Sequence, residues 1–150
     1  MTGKTMQDLP HRYVVSASTM AEQSVTLSSQ GLDDLSTAGP PEFGGPGDLW
    51  SPETLLVGAV ADCFVLSFRA IARAARLDWH SLGCEAVGIL DKVERVTQFT
   101  HFEVKAELTV AAGTDEEKAR RLLEKAEKHC LITNSMKASS TLDATVLLAD

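Results

Sequence analysis

Three side chains in this 150-residue chain could act as soft nucleophiles: Cys63, Cys84 and Cys130. A thiolate can attack an O–O bond and become a sulfenic acid, and a second thiol can then close a disulfide for an external dithiol to reopen. The three cysteines contain no CxxC pair, and their odd number excludes a secreted disulfide framework or a zinc ribbon. Cys63 follows Glu53 by ten residues, and Cys130 follows His129 directly. Cys84 opens a strand-like run with no motif around it and reads as a packing residue. His11, His80, His101 and His129 are scattered with no pair at ligand spacing, so neither a metal nor any other cofactor is expected. The Gly-rich stretch at residues 39–47 lacks a following Lys-Ser/Thr and is not a phosphate loop.

The elements that must position these residues can be read from pattern. Ser51-Pro52-Glu53 is a helix start: a capping hydroxyl, a proline where no N–H is needed, and an acid at the positive end. Residues 55–68 are apolar nearly all round, interrupted by Asp62 and Ser67. Fourteen residues are too few to span a bilayer, so this helix is expected to be buried on every side, one side against a second subunit. Arg69, Arg73 and Arg76 continue it as a solvated basic flank that complements the dipole.

Upstream, residues 13–27 read as two strands around a Met20-Ala21-Glu22-Gln23 turn, with a weak third strand at residues 31–35. The stretch at residues 38–47 is too rich in Gly and Pro for helix or strand and is expected to be an ordered loop. Downstream, residues 101–110 alternate without error. Phe102, Val104, Ala106, Leu108 and Val110 face in, and His101, Glu103, Lys105, Glu107 and Thr109 face out. Residues 84–93 are their antiparallel partner across a turn at residues 94–98. Thr114-Asp115-Glu116-Glu117 reads as a capping box opening a helix with Ala119, Leu122, Leu123 and Ala126 inward. That helix closes near His129-Cys130, and residues 142–148 form a last strand. The fold class is α+β, with a long buried helix and antiparallel sheets.

Composition bounds the function. Hydrophobic residues are 44% and charged ones 23%, which is globular. Aromatics are 5% and the net charge is −7, which argues against nucleic-acid and acidic-membrane partners. Residues 1–12 are expected to be a loosely attached tail and residues 13–150 one domain. The polar N-terminus has no apolar signal core, which makes a reducing cytoplasm the expected location.

Four pieces in order carry a resemblance: Pro41-Glu42-Phe43-Gly44-Gly45, Ser51-Pro52-Glu53-Thr54-Leu55-Leu56, Ala61-Asp62-Cys63, and His129-Cys130. Together they resemble the OsmC/Ohr family over roughly residues 13–148. The resemblance implies an intertwined homodimer with long central helices between sheets. It also implies, for active members, a thiol peroxidase that reduces organic hydroperoxides or hydrogen peroxide with an external dithiol. Carried over by position, Cys63 is the peroxidatic cysteine, Cys130 the resolving one, and Glu53 the glutamate that orients an arginine beside the reactive sulfur.

The sequence departs from that pattern in two places. The family's hydroperoxide reductases carry the arginine in a Gly-Gly-Arg turn. Here an ungapped count places Glu22 at that position, with Arg12 or an arginine of a second copy as the substitutes. Leu131 follows Cys130 where many members have proline. Cys63 lies too deep in its helix for dipole help, so without a cation it is expected to be mostly protonated at neutral pH. Cys130, at a helix C-terminus, suits the resolving role. The alternative function is an OsmC-like homodimer that binds a small apolar ligand at its interface without efficient turnover.

Overall fold

The computed structural model describes residues 6–150; of the expected N-terminal tail, residues 1–5 lie outside the described residues. The described residues divide into two compact units, one ending at Thr54 and the other beginning at Leu55.

The first unit holds a three-stranded antiparallel sheet, β1 (Ser16–Ser18), β2 (Val25–Ser28) and β3 (Leu35–Thr37), in that order. The β1–β2 hairpin turns where the sequence places it, and Glu22 sits in that turn with φ 67°. β3 begins at the residue where the expected strand ends. Residues 31 and 32 are turn and bend instead, with Leu32 N–H donating to the Ser29 carbonyl and Gly31 at φ 79°, and residues 33–34 are irregular. Among these strands only Thr37 is buried, so the sheet has no apolar core of its own. The Gly/Pro stretch folds on itself. A 3-10 turn at Pro41–Phe43 ends at Gly44, and Pro40 accepts from the N–H groups of Phe43 and Gly45. A Cβ on Gly45 would overlap the Gly39 carbonyl, so the loop closes only with glycine there.

α1 spans Pro52–Ala74, starting at the expected proline. Ser51 Oγ caps it by accepting from Thr54 N–H at 3.1 Å, and Thr54 Oγ1 returns a bond from Ser51 N–H at 2.8 Å. Its 23 residues make it long and apolar enough to cross a bilayer, which corrects the length argument from fourteen residues. Burial is also one-sided: Val60, Phe64, Phe68 and Ala72, four apart, are covered, whereas Leu66 is 50% exposed. The expectation of burial all round is not met within one copy of the chain.

The second unit is a three-stranded sheet ordered β4 (Ser81–Val93), β5 (Val96–Ala111), β6 (Ser139–Ala149), with α2 (Glu116–Lys128) and α3 (Leu131–Asn134) between β5 and β6. The expected alternation holds along β5: Phe102, Val104, Ala106, Leu108 and Val110 are all buried. They join one core with the covered stripe of α1, with Ala119, Leu123 and Ala126 of α2, and with Val146 of β6.

Three details differ from expectation. The β4–β5 turn is two residues, Glu94 and Arg95, both at positive φ (49° and 70°), with Val93 paired to Val96. Those angles match the right-handed twist of a long hairpin, so pairing continues through the expected loop. The cap of α2 is Asp115, not Thr114; its carboxylate accepts from Lys118 N–H at 3.2 Å. β6 runs parallel to β5, because a helical crossover returns the chain to the same end of the sheet. The second sheet is therefore mixed rather than antiparallel.

Candidate functional site

The fold brings Cys63 and Cys130 together. Cys63 stands midway along α1 on its half-buried flank, between the buried positions Val60 and Phe64. Cys130 is buried and lies just beyond α2. His129 is the C-cap, and Cys130 is the first residue of the next turn, the N-cap of α3 with φ −69° and ψ 107°. It thus lies near the C-terminus of α2, as expected from the sequence, and also opens α3. Its carbonyl accepts from Thr133 Oγ1 at 3.1 Å and from Asn134 N–H at 3.0 Å, which pins the α3 turn to it.

This turn supplies what the sequence does not display. The first N–H groups of a helix have no intrahelical acceptor. Here Ile132 and Leu131, at the start of the α3 turn, lie close enough for their backbone to lower the Cys63 thiol, as do the Cys130 thiol and the Ser67 hydroxyl. Cys63 Sγ and Ser67 Oγ are 3.8 Å apart. Burial pushes the Cys63 thiol up, but Ile132 N–H, Cys130, Ser67 and Leu131 N–H together bring it below the ordinary value of 9.0. These neutral donors act in the direction that a cation would, lowering the Cys63 thiol without a guanidinium.

Cys130 moves the other way. Burial raises it above 9.0, Thr133 lowers it in part, and the neighbouring Cys63 adds to the rise. The pair is asymmetric, one thiol shifted down and the other up. Cys84 is half-buried on β4 beside the core, and burial pushes it up to about 11, with Cys130 adding a smaller rise. It fits its reading as a packing residue.

Glu53 occupies the first turn of α1, and its Oε1 is a buried oxygen without a hydrogen-bond partner among the described residues. Glu22 lies exposed in the β1–β2 turn, and Arg12 is exposed upstream of β1. Of the histidines, His101 bridges β5 to β6 through Ser139 Oγ (2.7 Å) and Thr141 Oγ1 (3.0 Å). Among the described residues no group of three His, Cys, Asp or Glu side chains is placed to hold a metal ion. Sequence reasoning missed the roles of Ser67, Leu131 and Ile132. Ser67 alone gave a signal, as a polar interruption of an apolar helix.

A family model described as OsmC-like protein matches residues 45–145. An uncharacterized protein of Bacillus subtilis, YmaD, is 29% identical over 108 residues, covering 69% of this chain and 71% of its own. Among solved structures, an OsmC-like protein of unknown function from Vibrio cholerae superposes with a TM-score of 0.81 at 18% identity, covering 90% of this chain and 99% of that one. An organic hydroperoxide resistance protein OsmC from Legionella pneumophila gives 0.71 at 21% identity, covering 93% and 100%. One from Elizabethkingia anophelis gives 0.72 at 20%, covering 94% and 100%. At these identities the structures establish a shared fold.

Proposed function

Because the chain belongs to the OsmC-like protein family, we propose that it is a thiol-dependent peroxidase that reduces organic hydroperoxides or hydrogen peroxide through Cys63 and Cys130. The observation that carries this reading is the pair of neighbouring thiols, Cys63 on α1 and Cys130 at the start of the α3 turn, with the first shifted down and the second up. The thiolate attacks the terminal peroxide oxygen, the O–O bond breaks, and the leaving alkoxide takes a proton to become alcohol, or water from hydrogen peroxide. Cys63 is then a sulfenic acid. The Cys130 sulfur attacks it, the two sulfurs join, and the hydroxyl leaves as water with the thiol proton. An external dithiol, in a reducing cytoplasm, exchanges with that disulfide and restores both thiols. Two structural solved relatives are named as hydroperoxide resistance proteins, which supports the substrate class.

The same reading includes a homodimer. The apolar flank of α1 that one copy leaves open, with Leu66 half exposed, and a first sheet without a core of its own are what a second copy would cover.

The test is consumption of tert-butyl hydroperoxide and hydrogen peroxide with dithiothreitol as reductant. The parent consumes at least one of them, and Cys63→Ser abolishes consumption. With one equivalent of peroxide and no reductant, Cys130→Ser stops at a Cys63 sulfenic acid that dimedone traps. A folded parent that consumes neither peroxide overturns the proposal. A second reading, binding of a small apolar ligand without turnover, is favoured by the unpartnered Glu53 oxygen, since no guanidinium meets it among the described residues. Failure of the peroxide assay is the outcome that would favour it.

A further inference from the structure

Two polar residues interrupt the apolar run of α1, and they differ in placement. Asp62 is exposed to solvent; Ser67 is half-buried, one turn beyond Cys63 on the same flank. A serine inside a helix ordinarily gives its hydroxyl to the carbonyl four residues back. Ser67 instead places its hydroxyl 3.8 Å from the sulfur four residues back. When Cys63 is a thiol, either group can donate. Once the sulfur is a thiolate it has no proton left, and the hydroxyl must be the donor. The contact is therefore stronger in the ionised state than in the neutral one, which is the condition for favouring ionisation.

We propose that Ser67 is a positioning residue for Cys63, its hydroxyl donating to Sγ and holding the sulfur as a thiolate on the flank of α1 that faces Cys130. This deepens the peroxidase reading and rests on Cys63 as the attacking sulfur. Ser67 is assigned no bond-making role; it acts through the sulfur it contacts. Packing accounts for its small size but not for the oxygen: an alanine would fill the same place in an apolar helix with better helical propensity.

The experiment isolates Cys63 in a Cys84→Ser/Cys130→Ser chain and follows the pH profile of its alkylation by iodoacetamide. Serine at position 130 keeps a hydroxyl where the thiol was. The profile of that chain is expected to have its midpoint below the ordinary thiol value of 9.0. Adding Ser67→Ala is expected to move the profile to higher pH and to slow alkylation at neutral pH about two- to tenfold, the loss of one net hydrogen bond. Ser67→Thr, which keeps the hydroxyl, is expected to restore the original profile. The proposal is overturned if the Ala and Ser profiles coincide or the Thr profile moves as far as the Ala one. A midpoint at or above 9.0 before any change at Ser67 also overturns it, and that measurement does not depend on a variant at this position folding. Alkylation requires no peroxide, so failure of the peroxidase reading appears separately, as absence of hydroperoxide consumption with an intact dependence on Ser67.

Discussion

Adding one methyl group at Gly88 should destabilise the protein, while the same change five residues earlier should not. Gly88 lies on β4 opposite Phe102, beside the register shift at Ile89/Leu90. A Cβ there would stand 2.6 Å from Val57 Cγ2 of α1, 2.9 Å from Phe99 Cε1 and 3.0 Å from Phe102 Cε1. None of these atoms yields easily. Val57 is β-branched and stiff at χ1. The two rings are stacked at 5.3 Å and 24°, with Phe102 fully buried. Gly→Ala at an unstrained site stabilises by about 0.4–1 kcal/mol through the unfolded chain, whereas overpacking costs about 1–3 kcal/mol. At Gly88 the second effect should dominate. For a chain of this size each kcal/mol moves the thermal midpoint by about 2–4 °C, so Gly88→Ala should lower Tm by about 2–12 °C. Gly83 is the control, with open space around its Cβ position and no positive φ; Gly83→Ala should leave Tm unchanged or slightly raised. The assay is thermal unfolding by circular dichroism at matched protein concentrations, since association would make Tm concentration-dependent. A Gly88→Ala midpoint at or above that of the parent, or a Gly83→Ala midpoint that falls as far, refutes the packing argument.

Cys84 should make the fold alkali-sensitive. With its folded value raised from 9.0 to about 11, the unfolded chain releases this proton first, so stability should fall as pH rises from 9 towards 11. Urea midpoints across that window should fall less in Cys84→Ala, and parallel curves would refute the assignment. Leu66→Glu places a charge on the open flank of α1 and should shift sedimentation from a dimer to a monomer of 16.1 kDa; a parent that sediments as a monomer sinks the dimer reading. Leu131→Pro removes one N–H directed at Cys63 while suiting a first helical position whose preceding residue is already extended. Cys63 alkylation at neutral pH should slow by up to about tenfold, and an unchanged rate with intact circular dichroism would remove that N–H from the donor set.

The fold was most legible where one residue type has one physical use. Ser51-Pro52 marked the start of α1 to the residue, because a capping hydroxyl and a missing N–H are useful only there. The alternation along β5 named its buried face without error, because the period of a strand leaves no second choice. What failed depended on distant partners. Nothing local to β6 distinguishes parallel from antiparallel pairing, since direction is set by the α2 crossover. Glu94 and Arg95 carry none of the Gly or Asn that normally marks a tight hairpin, and the long flanking strands impose their positive φ. The apolar circumference of α1 was read correctly as sequence, but one copy of the chain covers only its Val60–Phe64–Phe68–Ala72 stripe.

At the site, the sequence pointed to both sulfurs and to charge alone as what could lower one of them. Charge is visible in a sequence, so the search for a thiolate partner went to arginines, and Glu22 in an exposed turn looked like a loss. Backbone N–H groups occur at every residue except proline, and no letter of the sequence says which are left without an acceptor. That is decided by a helix start, here the four-residue α3 that Cys130 caps. Leu131 takes on meaning in this light. A proline there would suit the turn equally well but would have no N–H to offer Cys63. Neutral donors have a further consequence for the pair. They favour the thiolate without adding positive charge, so Cys130 gains no cation to ionise it. Burial raises the Cys130 thiol first and the neighbouring Cys63 adds to the rise, which in the proposed cycle suits a thiol that reacts only after the sulfenic acid has formed.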